Sequence, residues 1–401
     1  MGGVPTRFGG QILKWRESTA IRIAISASVL QPNSNIKFDS DVMSAINRSF
    51  EAWQDAADVE FQWAVSDRTN VSPSGVSGDG VSLITIAPTA ENALLFAPDP
   101  NEAARTRVFF NSRGNITEAD IVLNPYQQFS TDGTFGTFDF ESTLTHEIGH
   151  LLGLSHSSVM SSTMARSFPK NGLFGLADLG FRTLDETDIS AVRELYGADD
   201  DDLCCASIGG KLVQPNGRGV RGAEVWAQDA VGQVLGSAET AADGSFTIAG
   251  LPTTDYQLFW QGTDGTGASL LGDLGRSRVE NGDELVLEET RVFLRRPRLA
   301  LNYIGINGQL SDSAVTLAAG QEQTIYIGGK DLDPSELNIE SSSPFIKVDP
   351  LSFSLQDFGD GVSVVTFRVL AETGVTRGAY TLFVSRSDGA RAALVGALSV
   401  E

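Results

Sequence analysis

The chain has 401 residues, more than one ordinary domain needs, so its length favours two or three domains. Acidic residues outnumber basic ones by 51 to 29, which gives a net charge of -22 at neutral pH. Such a surface repels phosphate backbones and anionic lipids, so no nucleic-acid partner is expected. No stretch of the sequence offers the ~18 consecutive apolar residues of a membrane-spanning helix.

The amino-terminal residues and the cysteines bear on the compartment of the protein. Residues 1–20 lack the apolar core of a signal peptide, which indicates either a cytosolic protein or a processed form whose leader has been removed. Two adjacent cysteines, Cys204 and Cys205, provide no disulfide framework. They can pair only with each other, as a strained vicinal disulfide, and the simpler expectation is two free or partly buried thiols in a linker.

Residues 1–197 have the pattern of a mixed α and β fold. The predicted elements, in chain order, are a strand at 21–25, a helix over about 40–58, strands at 81–87, 106–110 and 120–123, a helix from near Asp139 to Gly153, and a helix over about 186–196. Asp39 or Ser40 can cap the first helix. Gly153 can adopt the left-handed conformation that ends the second.

The remainder of the chain has a different pattern. An acidic run, ADDDD at 198–202, is interpreted as a solvated linker in preference to a calcium site. Residues 206–401 are short apolar stretches separated by Gly, Asp-Gly and Pro, which is typical of β-sandwiches. A second boundary is predicted near Pro297, after the strand-like run at 290–294. The predicted domains are therefore 1–203, 204–297 and 298–401.

All three histidines of the chain fall within one segment, HEIGHLLGLSH, which runs from His146 to His156. His146 and His150 are four residues apart on a predicted helix, so both imidazoles project from one face and can bind one cation. Gly153 allows a sharp turn after the second histidine, so that His156 can return to the metal. Three neutral imidazoles suit Zn²⁺ and leave a fourth position for water.

Glu147 follows the first of these histidines and has a different predicted role. From that position a carboxylate can bond to the attacking water instead of the metal, which makes it a general base. It can then pass the proton to the leaving amine of a peptide. A short H-E-x-x-H motif also arises by chance, but the complete H-E-x-x-H-x-x-G-x-x-H pattern on a predicted helix is specific.

The segment resembles the signature of metzincin zinc endopeptidases, and its details resemble the matrixin branch. The path from the third ligand resembles that branch in HSSVMSSTMARSF at 156–168. This resemblance makes Met164 the Met-turn residue beneath the zinc, with Met160 as the competing candidate. The run LDETDISAVRELYG at 184–197 resembles the matrixin C-terminal helix, in which Asp188 matches the aspartate that supports the Met-turn.

Some features depart from the vertebrate matrixins and are most similar to simple bacterial secreted matrixin-like proteases. No further histidines can bind a second, structural zinc, so one zinc per chain is expected. Arg166 stands where a related branch places a tyrosine ligand, which leaves three protein ligands. Asp79, Asp99 and Asp132 lie in loops and can be considered for structural Ca²⁺, although ordinary turn chemistry explains them equally well.

Two further segments are interpreted through family architecture. By analogy, residues 105–111 form the edge strand along which an extended peptide can pair, and an internal strand without a substrate role is the alternative. Residues 209–229, followed by 242–258, resemble a carboxypeptidase-regulatory or collagen-adhesin B-type sandwich in their Gly-Ala-x-Val and Asp-Gly-x-Phe turns. Residues 298–401 resemble an immunoglobulin-like sandwich.

Together, the motif and the resemblance predict a zinc-dependent endopeptidase. The expected fold is an α+β metzincin catalytic domain followed by two all-β sandwiches, in a secreted, extracellular monomer that acts on protein or peptide substrates. The tail is expected to bind a surface or a substrate, and residues 1–203 are expected to fold and cleave small peptides without it. The alternatives are an extracellular binding or adhesion protein with a vestigial zinc site, and a cytosolic peptidase.

Overall fold

The structure is a computed structural model. It describes residues 5–8, 11–16, 20–31, 33–73, 77–167, 169–177, 179–198, 204–263, 268–293, 299–359 and 362–401. The predicted linker, apart from its first residue, and the predicted boundary near Pro297 lie outside these ranges. The chain divides into a first region, which extends to residue 198, and a tail, which begins at residue 204.

The first region combines a mixed β-sheet with helices. Its helices are α1 Ala27–Leu30, α2 Val42–Gln54, α3 Ala90–Leu94, α4 Phe140–Leu152 and α5 Glu186–Tyr196, with short 3-10 helices at Leu173–Gly175 and Gly180–Arg182. Its strands are β1 Arg7–Phe8, β2 Gln11–Ile12, β3 Ile21–Ser26, β4 Phe61–Ser66, β5 Ser82–Thr85, β6 Ala104–Phe110, β7 Ile116–Leu123, β8 Phe129–Ser130 and β9 Phe138–Asp139. The main sheet has the order β4-β3-β5-β7-β6 and is parallel except for β6, which is antiparallel. Strand β6 lies at one edge, as expected for residues 105–111.

Helix α2 is shorter than predicted at both ends, since it spans Val42–Gln54 instead of about 40–58. Its cap is Asp41, whose side chain accepts the N–H of Ser44, and not Asp39 or Ser40. The helix therefore begins at Val42, and Met43 in its first turn is 40% exposed. The apolar face that remains packs against α4, and Trp53 is fully buried there.

Helix α4 agrees with its prediction at both ends. Asp139 caps it by accepting the N–H of Ser142, and Gly153 ends it with a φ of 103°. A side chain is disfavoured at that φ, and a Cβ on Gly153 would also collide with the carbonyl oxygen of Leu13. The chain therefore turns sharply after α4, which is the turn that the metal motif requires.

The tail consists of strands. They are β10 Ala206–Val213, β11 Glu224–Gln228, β12 Val234–Glu239, β13 Ser245–Leu251, β14 Thr254–Thr263, β15 Ala268–Val279, β16 Glu284–Val286, β17 Thr290–Arg291, β18 Leu299–Ile306, β19 Gln309–Ser311, β20 Val315–Leu317, β21 Glu322–Lys330, β22 Leu337–Ser341, β23 Ile346–Asp357, β24 Ser363–Ala371, β25 Gly378–Arg386 and β26 Arg391–Val400. One nine-stranded sheet has the order β12-β11-β14-β15-β18-β21-β24-β23, with β19 beside β18. A four-stranded sheet packs on each half: β13-β10-β16 with β17 beside β10, and β20-β26-β25-β22.

These sheets form two sandwiches that are joined edge to edge. The first sandwich contains β10–β17 and the second contains β18–β26. The pairing of β15 with β18 carries the long sheet from one sandwich to the other, across the boundary predicted near Pro297. The two tail modules therefore share one sheet.

Two remaining findings concern the cysteines and the membrane. Cys204 and Cys205 are joined as a vicinal disulfide, where free thiols were expected, and the peptide bond between them is cis. In the described part of the chain, no helix has both the length and the hydrophobicity that crossing a bilayer requires.

Candidate metal centre and active site

The three histidines meet at the carboxyl-terminal end of α4. His146 and His150 lie one turn apart on the helix, and the turn at Gly153 brings His156 back beside them. Their ligand atoms all lie within 4.8 Å of one another. Among the described residues, this is the only group of three or more His, Cys, Asp or Glu side chains that is close enough to hold one cation.

Backbone carbonyls orient two of the imidazoles. His146 Nδ1 lies 2.7 Å from the Thr163 oxygen, and His150 Nδ1 lies 2.8 Å from the Leu154 oxygen. Because a carbonyl can only accept, each Nδ1 carries the proton and each Nε2 keeps its lone pair for a metal. His146 and His150 therefore have the tautomer that zinc coordination requires.

The environment also keeps the histidines uncharged. Burial lowers the pKa of His146 well below its usual value, and His150 and His156 lower it further. Burial likewise lowers the pKa of His150, and it lowers that of His156 to about 4 with help from His150 and Arg166. All three imidazoles are thus neutral near pH 7, which is the form that binds metal.

Glu147 lies beside the histidines and has one hydroxyl partner. Its side chain is buried, and the Thr106 hydroxyl donates to Glu147 Oε2 at 2.5 Å. Burial raises the pKa of Glu147 to about 7, and the charge of Glu102 adds to this effect while the bond from Thr106 opposes it. This pKa is that of the metal-free protein, in which Glu147 is partly protonated at neutral pH.

The segment that follows the third histidine passes beneath the site. We call residues 157–164 the methionine loop. Met164 is fully buried under α4, where a Cβ on Gly149 would collide with its sulfur. Met160, the competing candidate for the position beneath the metal, instead lies in a hydrophobic core of the tail.

Asp188 connects α5 to this loop. Its carboxylate accepts the backbone N–H of Thr163 at 2.8 Å and that of Met164 at 3.2 Å. It also belongs to the capping box of α5 with Asp185. Burial raises the pKa of Asp188, and the charge of Asp185 raises it further. The carboxylate thus fixes the backbone that holds both Met164 and the carbonyl partner of His146.

A cleft of about 760 Å³ opens over these groups. Glu147 and the three histidines form its floor, strand β6 forms one wall, and Arg166 lies near His156. Beyond Ala104, strand β6 is half-buried along its whole length, and its outer edge pairs with no other described strand. The cleft therefore has room for an extended peptide beside the candidate metal ligands.

Of the three aspartates considered for calcium, Asp99 is among the residues that line the cleft, whereas Asp79 and Asp132 are not. Asp79 and Asp132 form ion pairs with Arg68 and Lys37, respectively. Asp99 accepts the N–H of Asn101 in a turn. Turn and ion-pair chemistry accounts for the contacts of all three side chains.

The family comparison bears directly on this region. The model of the Matrixin family matches residues 14–197. Residues 14–197 are a matrixin domain. The matrixin domain contains every residue of the site described above, from Thr106 on β6 to Asp188 on α5.

Three relatives each match part of the chain. Metalloendoproteinase 1 of Glycine max is 27% identical over 40% of this chain and 47% of its own length. Metalloendoproteinase 1-MMP of Arabidopsis thaliana is 30% identical over 39% of this chain and 38% of its own, and the Hatching enzyme of Paracentrotus lividus is 27% identical over 46% and 27%. The chain spans less than half the length of each of these relatives.

Solved structures offer only slight likenesses. BcpA, the major pilin subunit of Bacillus cereus, is 13% identical over 47% of this chain and 67% of its own, with a TM-score of 0.20. The RrgB pilus protein of Streptococcus pneumoniae is 10% identical over 48% of each chain, with a TM-score of 0.17. Likenesses at these scores carry no argument about the tail.

Proposed function

We propose that the chain is a zinc-dependent endopeptidase of the metzincin class that cleaves extracellular proteins. The observation that carries the proposal is the convergence of three neutral imidazoles, two of them oriented by backbone carbonyls, beside a buried carboxylate. The matrixin domain and its metalloendoproteinase relatives support the same activity. The extracellular setting follows from the resemblance to secreted matrixins.

The donor set fits zinc. His146, His150 and His156 offer three nitrogen ligands. On His146 and His150, the Nδ1–H donates to a backbone carbonyl, which leaves Nε2 free. When bound, zinc supplies Lewis acidity, which lowers the pKa of water and polarises a carbonyl. Met164 and Asp188 keep the backbone beneath this set in place.

Glu147 is proposed as the general base. It accepts a proton from the attacking water and later gives that proton to the leaving amine. Thr106 donates to Glu147 Oε2 and so limits the rotation of the carboxylate. A cation at the histidines would favour the ionised form of Glu147 and thereby lower its pKa below that of the metal-free protein.

Strand β6 is proposed to bind the substrate backbone. An extended peptide that lies in the cleft can add to the free edge of this strand through main-chain hydrogen bonds. Such bonds are independent of side-chain identity, so broad sequence tolerance is expected. Thr106 lies on the same strand, which places the general base beside the bound peptide.

The test is the digestion of a proteome-derived peptide library by the full chain in three arms: as purified, after removal of metal by a chelator, and after addition of zinc to the metal-free protein. We expect new internal cleavage sites in the first and third arms and none in the second. A protein that holds zinc yet cleaves no peptide would contradict the proposal and favour a binding or adhesion protein with a vestigial site.

A further inference from the structure

The outer part of the methionine loop projects from the matrixin domain and packs in the tail. Val159 is fully buried, and it shares a hydrophobic cluster with Trp226 of the first sandwich and Val395 of the second. Met160 is 8% exposed and belongs to the core of the second sandwich. Two consecutive side chains of this loop therefore pack inside tail modules.

Polar contacts hold the same part of the loop. The N–H of Met160 donates to the Val395 oxygen at 2.9 Å, and its carbonyl accepts the N–H of Ala314 at 3.4 Å. The hydroxyl of Ser158 donates to the carboxylate of Glu224 at 2.7 Å. Glu224 belongs to the first sandwich, whereas Val395 and Ala314 belong to the second, so both modules hold the loop.

Glycines in the tail allow this close approach. Gly396 has a φ of 63°, and a Cβ on it would collide with Val159 Cγ1 and lie 2.9 Å from the Ser161 hydroxyl. A Cβ on Gly250 of the first sandwich would collide with the Ser190 oxygen on α5. The tail thus fits closely against both the methionine loop and the helix that carries Asp188.

The inner end of the methionine loop lies beside the candidate zinc ligands. The loop begins directly after His156, and the N–H of Ser157 donates to the Met164 oxygen, which closes it. The Thr163 oxygen accepts from His146 Nδ1 at 2.7 Å. A displacement of the loop therefore moves the backbone beside one ligand and the hydrogen-bond partner of another.

We propose that the tail positions the metal site by holding the methionine loop, so that zinc binding and peptide cleavage depend on both sandwiches. This inference rests on the proposed zinc endopeptidase function for its activity readout. It opposes the expectation that residues 1–203 cleave peptides without the tail. The side chains of Val159 and Met160 in the methionine loop pack against residues beyond 203. The residues concerned are positioning residues that act through the loop.

The test uses the full chain with Gly396→Ala, which inserts a methyl group against Val159. Its matched control is Gly389→Ala, because Gly389 also has a positive φ, of 88°, but a Cβ on it would meet no other atom within 4 Å. We expect the zinc affinity of Gly396→Ala, measured by competition with a chromogenic chelator, to be about tenfold or more below that of Gly389→Ala. Equal zinc affinities in two folded variants would overturn the proposal.

A second pair keeps the test decisive if Gly396→Ala does not fold. Val159→Ala removes volume from the loop's side of the contact, and its control is Val279→Ala, since Val279 is equally buried in the core of the first sandwich. Weaker zinc binding by Val159→Ala alone would support the proposal, whereas equal binding would contradict it.

Hydrogen exchange of the metal-free protein gives a readout that is independent of zinc and of activity. We expect the Met160 amide to be protected in the wild type, and to exchange faster in Gly396→Ala than in Gly389→Ala. Rapid exchange of this amide in the wild type would show that the tail does not hold the loop. If the wild type binds no zinc while this amide is protected, the proposed function fails on its own.

Discussion

The hydroxyl of Thr106 is the contact that most directly orients the proposed general base. It lies 2.5 Å from Glu147 Oε2 and 3.1 Å from the Glu147 backbone oxygen. A hydroxyl has one proton, and the bond to the carboxylate is the shorter one, as expected when the acceptor is charged. The bond therefore restrains the carboxylate in the cleft without touching the metal ligands.

Removal of this hydroxyl should lower kcat more than it changes KM. In Thr106→Val the shape of the side chain is kept, but Glu147 loses its donor, so kcat for a fluorogenic peptide should fall about tenfold. Thr106→Ser should restore most of the rate. Thr117→Val, on the neighbouring strand β7 and exposed, is the control, and a wild-type kcat in Thr106→Val would contradict the positioning role.

At the scale of single residues, the sequence predicted the candidate zinc ligands and the general base from the spacing of the H-E-x-x-H-x-x-G-x-x-H motif. His146, Glu147, His150 and His156 belong to one helix and its turn, so their relation is local. Thr106 lies 41 residues from Glu147 and reaches it only through the pairing of the sheet and its packing on α4. A threonine in a strand has no distinguishing motif, so sequence reasoning had no signal for it.

A buried carboxyl group lies among the strands beside the cleft. Asp120 on β7 accepts the backbone N–H of Ser72 at 2.9 Å and that of Leu83 at 3.0 Å. Burial, with the help of the charges of Glu118 and Asp79, raises the pKa of Asp120 to about 7. The folded protein therefore keeps this proton to a pH at which the unfolded chain, with a pKa of ~3.9, has lost it.

This difference predicts a pH dependence of stability. Between about pH 4 and pH 7 the unfolded state binds fewer protons at this site, so Asp120 lowers the free energy of unfolding as the pH rises. Asp120→Asn cannot ionise, so its urea midpoint relative to wild type should be higher at pH 8 than at pH 5. Asp58→Asn, at an exposed position, controls for the change in net charge, and a pH-independent difference for Asp120→Asn would contradict the argument.

At the scale of elements, the sequence predicted helices from periodicity and strands from alternation. It placed α4 correctly because Asp139 and Gly153 are strong local signals. It misplaced the start of α2, since Asp39, Ser40 and Asp41 are all capable caps and only the entering chain decides among them.

At the scale of the whole molecule, the tail is packed against the matrixin domain instead of being held only by a linker. The contacts that show this are main-chain bonds at Met160 and a close approach at Gly396. Neither has a sequence pattern, because backbone groups are the same at every residue and the chain is rich in glycine. The acidic run at 198–202 indicated a boundary, but it carried no information about what the modules touch.

The most direct test of the proposed mechanism compares Glu147→Gln with the wild type for zinc content and peptide hydrolysis. The substitution keeps the size of the side chain and leaves all three histidines, so one zinc per chain should be retained after dialysis. Hydrolysis should fall about 100-fold or more, because the amide cannot accept the proton from water. A Glu147→Gln variant that binds one zinc and cleaves peptides at the wild-type rate would contradict the proposed mechanism.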